Sequence, residues 1–446
     1  MSQTFDGAAI AQATGGTLIR TAAAGAVFTD SRKVVPGGWF VALVGEKFDG
    51  HGFAADVLAK GAAGVVVSRP VDVSGGIVRV ADTTAAYQAL GAAARDRVKG
   101  PVIGIGGAAG KTTTRALTAL ALSPKGRVHQ NSANLNNHIG VPLTLLETPD
   151  DAAAVVVEMG TSGKGEMAVL EAIARPDVRL VVNIGPEHLE GLGDLEGVAA
   201  EEGVMFDRAR PGDVLLVNVD DVYLRSWPVP AGARVVTWGE SPDAQIRLVD
   251  AVLDPITLGT RATYDTPMGP IVADIPSPGR HVAHDAAGAL AAAWVCGVDL
   301  ADAASALSRY EAVGMRLRRE SVGGVTVLND AYNANPPSME AALAVLCALP
   351  GRRIAVLGDM LELGDEEAKW HDHVAAVAST KGLDLVVLCG ARMSAAGASC
   401  PGAWLVADPL EVAGRLRPWL KDGDVLLVKG SRGVRLERVI ETLRGT

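Results

Sequence analysis

Short runs of branched apolar residues recur along the chain, and alanine-rich stretches with helical spacing separate them. Runs at 39–43 and 64–67 read as buried strands, and 85–98 reads as a helix stopped by Gly100-Pro101. A second series opens with VIGIG at 102–106. Behind it a glycine-rich loop leads into RALTALALS, with Leu117 and Leu120 on a helical spacing. Further strands are predicted at 154–157, 180–184 and 214–217, and 227–275 reads as a small antiparallel insertion. A third series follows near Val313, with strands at 325–328, 354–357, 385–388 and 425–428 and a helix over 338–349. Strands that alternate with helices predict parallel, doubly wound sheets and an α/β fold.

The length fits this division. At about 150 residues per domain, 446 residues predict three domains, placed at 1–98, 99–312 and 313–446. Hydrophobic residues at 48% and charged residues at 21% are ordinary for globular chains, so extensive disorder is excluded. Lysine and arginine total 41 against 51 acidic residues, a net charge of −10. With only 4% aromatics this predicts no nucleic-acid partner, and any anionic ligand must be held by a local site. The start, MSQTFDGAAIAQATGG, lacks a secretory pattern, and the alanine-rich stretch 286–298 is too short to span a bilayer. The cysteines Cys296, Cys347, Cys389 and Cys400 form no C-x-x-C pair. The expectation is a reduced, cytoplasmic, soluble protein, taken as a monomer.

Candidate chemistry clusters at predicted strand ends. GIGGAAGKT at 104–112 places Gly107, Gly110, Lys111 and Thr112 between a strand and a helix. Backbone N–H groups and the helix start would face phosphates there, with Lys111 adding charge and the Thr112 hydroxyl reaching Mg²⁺. The other reading is a tight turn with an incidental lysine. AVVVEMG puts Glu158 at a strand end, and NIGPEHLEG puts His188 just beyond the next. Ligands of open α/β sheets bind at such ends, so both would share a crevice with Lys111 and hold a divalent ion. A solvated carboxylate and a capping histidine are the simpler alternatives. SANLNNHIGVP carries Asn134, Asn136 and Asn137, which suit either a substrate loop or an asparagine-rich turn. NDAYNANPPSM carries Asp330, Tyr332, Asn333 and Asn335 before a helix for which Ser338 reads as the N-cap. KGSRG at 429–433 offers Arg432 as a weak anion signal, and DSRKVVPGG and GEKFDGH read as turns.

Taken together, DSRKVVPGGWFVALVGEKFDGH, GKTTT, NLNNHIGVPLTLLE, VVEMG, NIGPEHLEGLG, GMRLR, NDAYNANPPSM, VLGDMLELG and KGSRG resemble the Mur ligase family, in order and over nearly the whole chain. The resemblance implies an N-terminal UDP-binding domain, a central P-loop ATPase domain and a C-terminal Rossmann-like domain. It implies an ATP- and Mg²⁺-dependent amide ligase of cytoplasmic peptidoglycan synthesis. The substrates it implies are UDP-N-acetylmuramoyl-tripeptide, activated as an acyl phosphate, and D-Ala-D-Ala, whose amine attacks. By position, Gly107, Gly110, Lys111, Thr112 and Thr113 match the nucleotide contacts, and Glu158 and His188 match the second metal site. Ser31 and Arg32 match the motif at the UDP pocket. Arg316 and the 329–335 stretch match elements that meet nucleotide and dipeptide.

Within that resemblance the chain departs at the nucleotide. Gly106 and Ala108 stand where the family has hydroxyl residues. Glu202 stands at a lysine that the family carbamylates to bind metal, and Val204 replaces a nearby acidic residue. Val282 and Asp285 replace two asparagines, the second associated with adenine; Asp285 keeps an acceptor and loses an amide donor. Glu202 offers the same charge on a shorter arm. Three outcomes follow: this ligase with a modified metal site, a ligase for another carboxylate and amine, or a nucleotide-binding protein with little turnover.

Overall fold

The protein is described by a computed structural model covering residues 3–445. Three principal sheets follow one another along the chain, with one two-stranded ribbon besides. In the first, Gly25–Phe28, Trp39–Val41, Gly64–Val67 and Gly76–Arg79 run parallel, and short antiparallel strands close both edges.

The central sheet has nine strands. Val102–Gly106 lies between Ala154–Glu158 and Val178–Val181, all parallel. Glu158 is level with Ile105, and Val181 with Gly106. The register therefore brings three strand ends to one rim, where their loops meet. The segment 227–275 is not the separate antiparallel insertion its composition suggests. Arg234–Gly239 and Ile246–Leu253 continue the sheet in parallel, and only Thr260–Asp265 and Ile271–Ile275 turn back. The reason lies in alternation: Val236 and Trp238 point inward and are buried, so this strand extends the core rather than leaving it.

One face of the central sheet is covered by the helices Lys111–Leu122 and Arg280–Val295. Alanines line the second helix on its buried side, and small side chains let the two helices and the sheet approach closely. Leu117 and Leu290 are fully buried there, each worth ~1.5–3 kcal/mol relative to exposure. The opposite face shares a continuous core with the first sheet, from Val155 and Val157 to Trp39 and Leu90.

The third sheet orders Arg318–Val322, Val325–Asp330, Val425–Lys429, Arg353–Gly358, Leu385–Cys389 and Trp404–Val406, parallel except at the first strand. Its helix Pro336–Cys347 is capped by Asn335, not by Ser338. The Ser338 N–H donates to Asn335 Oδ1 at 3.1 Å, and the Asn335 N–H donates to Ser338 Oγ at 3.1 Å. Two prolines at the helix start, which have no N–H to satisfy, move the cap back to Asn335. No helix among the described residues is long and apolar enough to cross a membrane.

Candidate active site

A crevice of about 570 Å³ opens at the rim of the central sheet, with the third sheet's loops as its other wall. Its floor is the loop between Val102–Gly106 and Lys111–Leu122. Gly107 and Gly110 hold φ of +117° and +86°, conformations that L side chains resist. A Cβ on Gly107 would also lie 2.8 Å from the Val182 nitrogen. Behind the loop, Asn183 braces it. The Ala108 N–H donates to the Asn183 carbonyl at 2.9 Å, the Ala109 N–H to Asn183 Oδ1 at 2.8 Å, and Asn183 Nδ2 donates to the Ala109 carbonyl at 3.1 Å. The loop is thus held by its backbone where Ala108 has no hydroxyl to offer. The first N–H groups of the following helix, which include those of Lys111, Thr112 and Thr113, have no intrahelical acceptor and line the crevice.

Lys111 points back over its own loop. Its Nζ donates to the Gly107 carbonyl at 2.5 Å and to Glu187 Oε2 at 3.0 Å. Burial alone would lower its pKa, but the carboxylates of Glu187, Glu202 and Glu158 outweigh burial, and the net shift is upward. The ammonium is therefore held charged at the phosphate loop.

Glu158 is buried, and Asn131 and Asn136 fix it. Asn131 Oδ1 accepts the Glu158 N–H at 2.7 Å, and Glu158 Oε1 accepts from Asn136 Nδ2 at 2.9 Å and from the Thr112 hydroxyl at 3.0 Å. Its Oε2 has no hydrogen-bond donor, and the nearest cation is Arg115 at 3.4 Å. A buried carboxylate oxygen without a donor beside a threonine hydroxyl is suited to a divalent cation. Among the described residues no cluster of three or more histidine, cysteine or acidic side chains is gathered for a metal. Thr112 and Glu158 by themselves offer two oxygen ligands, and Mg²⁺ usually takes one or two from protein and the rest from phosphate and water.

Glu202 sits under the loop rather than in the crevice. Its Oε2 accepts the Gly107 N–H at 2.6 Å, and its Oε1 accepts from the Thr161 hydroxyl at 3.3 Å. Both oxygens already hold protein donors, and Glu202 itself does not line the crevice. Burial raises its pKa against the opposing pull of Lys111 and the Gly107 N–H.

Asp285 lines the crevice beside Gly110, and a Cβ on Gly110 would lie 2.9 Å from its Oδ1. Burial pushes its carboxyl well above the ordinary range. Below about pH 4 both folded and unfolded chains carry the proton, so nothing is lost. As pH rises past that value the unfolded chain ionises freely and the buried group does not, so stability falls. Asp285→Asn should raise the melting temperature at pH 8 and change it little at pH 4, a gain on the order of 1–3 kcal/mol at the higher pH. An equal shift at both pH values would sink this account.

The remaining expected residues divide. Asn134, Asn136, Asn137, Arg316, Asp330, Tyr332, Asn333 and Asn335 all line the crevice. Asn137 Oδ1 also accepts the Gly140 N–H at 3.0 Å at a helix start. Arg316 stacks its guanidinium 3.9 Å over the Tyr332 ring. Asp330 pairs with Lys429 at 2.7 Å, and Lys429 Nζ donates to the Asn333 carbonyl at 3.0 Å. Within KGSRG, Lys429 therefore shapes the site, while Arg432 turns to Glu437 at 2.7 Å. Ser31 and Arg32 do not line the crevice. They sit on a loop of the first sheet, where the exposed Arg32 clasps Asp30 at 2.8 and 2.9 Å. His188 lines the crevice and meets Glu362 of the third sheet's loop at 2.5 Å. Asn183, Glu187 and Glu362 escaped the sequence reading. A polar residue just past a strand, as in VVN, is the one signal that could have marked Asn183.

Known proteins match over the whole architecture. Residues 25–103 match the model of the Mur ligase family catalytic domain, 105–293 the Mur ligase middle domain and 315–432 the Mur ligase glutamate ligase domain. The chain is 37% identical to the UDP-N-acetylmuramoyl-tripeptide–D-alanyl-D-alanine ligase of Escherichia coli, covering 94% of this chain and 93% of that one. It is 34% identical to the Bacillus subtilis ligase of that name, over 94% and 92%. A crystal structure of MurF from Acinetobacter baumannii superposes with a TM-score of 0.93 at 29% identity, covering 100% of both chains. The MurF ligase of Thermotoga maritima in complex with ADP gives 0.83 at 28%, covering 94% and 97%.

Proposed function

The chain belongs to the Mur ligase family, and from that premise we propose how its crevice carries out the ATP-dependent joining of D-alanyl-D-alanine to UDP-N-acetylmuramoyl-tripeptide. The observation that carries the reading is the meeting, at one rim, of Lys111 folded over the phosphate loop and the donor-free Glu158 oxygen at the end of the neighbouring strand.

A free carboxylate is a poor acyl donor, and phosphorylation supplies a leaving group. In this reading the helix N-terminus and Lys111 bind the nucleotide phosphates, and Lys111 offsets charge that builds during transfer to the tripeptide carboxylate. Thr112 and Glu158 would hold Mg²⁺, which neutralises phosphate charge when bound. His188 stands at the same rim to meet the transferring group. Glu202 acts from beneath, fixing Gly107 through its N–H rather than joining the metal shell. Arg316, Tyr332, Asn333 and the Asp330–Lys429 pair belong to the opposite wall, where the dipeptide amine would be presented to the acyl phosphate. Holding both partners there removes most of the entropic barrier, and the wall excludes water that would hydrolyse the intermediate.

Ser31 and Arg32 are assigned to the uridine diphosphate end, remote from the reacting atoms. We take the domains to be 1–98, 99–312 and 313–446, a division that the succession of three sheets supports. We place the enzyme in the cytoplasm, where thiols stay reduced, in keeping with four unpaired cysteines, and take it to act as a monomer.

The test is phosphate release from Mg²⁺-ATP with UDP-N-acetylmuramoyl-tripeptide, with and without D-Ala-D-Ala, with mass spectrometry of the product. Release that requires both substrates, with a pentapeptide product, is expected. ATP binding without release, beside an active control ligase, would overturn the reading.

A further inference from the structure

We propose that Glu362 is the positioning residue of His188, reaching from the third sheet to set that imidazole for the reaction; this rests on the reading of the crevice given above. His188 and Glu362 each hold a left-handed backbone, with φ of 54° and 66°. Neither is glycine, so each carries a conformational cost that the surrounding structure must hold in place. They face one another: His188 Nδ1 lies 2.5 Å from Glu362 Oε2.

The pair is a poor stability device. The Glu362 side chain is 55% exposed and His188 25%, and exposed ion pairs add little to folding. Stability at this contact comes from other groups. The Glu190 N–H donates to the Glu362 carbonyl at 3.2 Å. Trp370 packs over Leu189, Leu192 and Val198. What the carboxylate adds is orientation. In the neutral imidazole, Nδ1–H donates to Glu362, which leaves the Nε2 lone pair on the crevice side.

That side is where the phosphate loop connects. His188 Nε2 lies 3.5 Å from Glu187 Oε1, near it but with no proton to donate in this tautomer, and Glu187 Oε2 accepts from Lys111. Lys111, Glu187, His188 and Glu362 thus run in series from the phosphate loop to the third sheet. The loop that presents Glu362 is itself held. The Leu361 N–H donates to Ser431 Oγ at 3.0 Å, and the Met360 N–H donates to His371 Nε2 at 3.0 Å. The imidazole is therefore set only when the third sheet is docked.

Glu362→Gly tests this, because glycine accepts the left-handed backbone while the side chain and its carboxylate are lost. Its melting temperature should equal or exceed that of the parent. The kcat for ATP- and dipeptide-dependent phosphate release should fall at least tenfold, with the KM for ATP changed less than twofold. Glu362→Gln, whose amide oxygen still accepts from Nδ1–H, should recover part of kcat. A readout independent of turnover is nitrogen NMR of the His188 ring: the parent should show the Nδ1–H form and Glu362→Gly the Nε2–H form. An Nε2–H form in the parent would overturn the proposal, whatever the substrates prove to be. So would a kcat within twofold of the parent, or a loss of stability that parallels the loss of rate in both variants.

Discussion

Lys111→Ala should lower kcat by about 10²–10³-fold, the usual effect of deleting one charge-stabilising donor, and should weaken nucleotide binding as well. The surroundings make the loss severe. Glu187, Glu202 and Glu158 all act on the Lys111 ammonium, so its removal leaves carboxylates facing an anionic nucleotide. Lys111→Arg is expected to fail too, because a planar guanidinium cannot occupy the compact position that donates at once to the Gly107 carbonyl and Glu187. Adding Glu187→Ala to Lys111→Ala should restore part of the nucleotide affinity without restoring turnover, since it removes repulsion and supplies no cation. Calorimetry with ADP and phosphate-release rates separate the two effects. A Lys111→Ala enzyme within tenfold of the parent would remove this residue from the mechanism.

Much of this site was legible because its signals are local. A branched apolar run, then glycines, then Lys-Thr, then a helical pattern specifies a phosphate loop within a dozen positions. Glu158 and His188 were legible for a similar reason, the first ending a strand and the second following one, with both strands visible in the pattern. What escaped is long-range. Asn183 braces a loop 74 positions earlier, and Glu187 reaches Lys111 across 76. Glu362 finds His188 across 174, from a different sheet. No spacing rule connects such residues, because sheet register and docking bring them together. Glu202 shows a subtler limit. Its place in the chain brings it beside the glycine-rich loop, but the side chain's direction depends on which N–H it meets, and Gly107 offers one. Ser338 failed as a cap for a local reason: in a reciprocal pair of Asn335 and Ser338, either polar residue reads plausibly, and the two prolines decide.

Arg179→Met should cost about 3–5 kcal/mol of stability, the expected range for breaking a buried ion pair from one side. Arg179 lies in the strand Val178–Val181 and is 1% exposed. Its guanidinium donates to Asp213 Oδ2 at 2.6 Å and to Glu171 at 3.2 and 3.3 Å. Even so paired, Glu171 is pushed up to about 7 by burial. Its folded pKa stands above the unfolded one, so its contribution favours folding at low pH and is lost as pH rises from about 4.5 through about 7. Without Arg179 that upward shift grows, so the variant should be weakest at pH 8 and recover part of the loss near pH 5, where Glu171 takes up a proton. Replacing Glu171 as well with an apolar residue of similar volume should return most of the stability, because Arg210 still holds Asp213 and the penalty is the stranded Glu171 charge. Denaturant unfolding at the two pH values measures this, and a loss independent of pH would assign Arg179 to packing instead. The far end of the same strand leads into Asn183, Glu187 and His188. A triad that fixes one end of the strand while its other end carries the phosphate-loop brace couples folding of the central sheet to the geometry of the site.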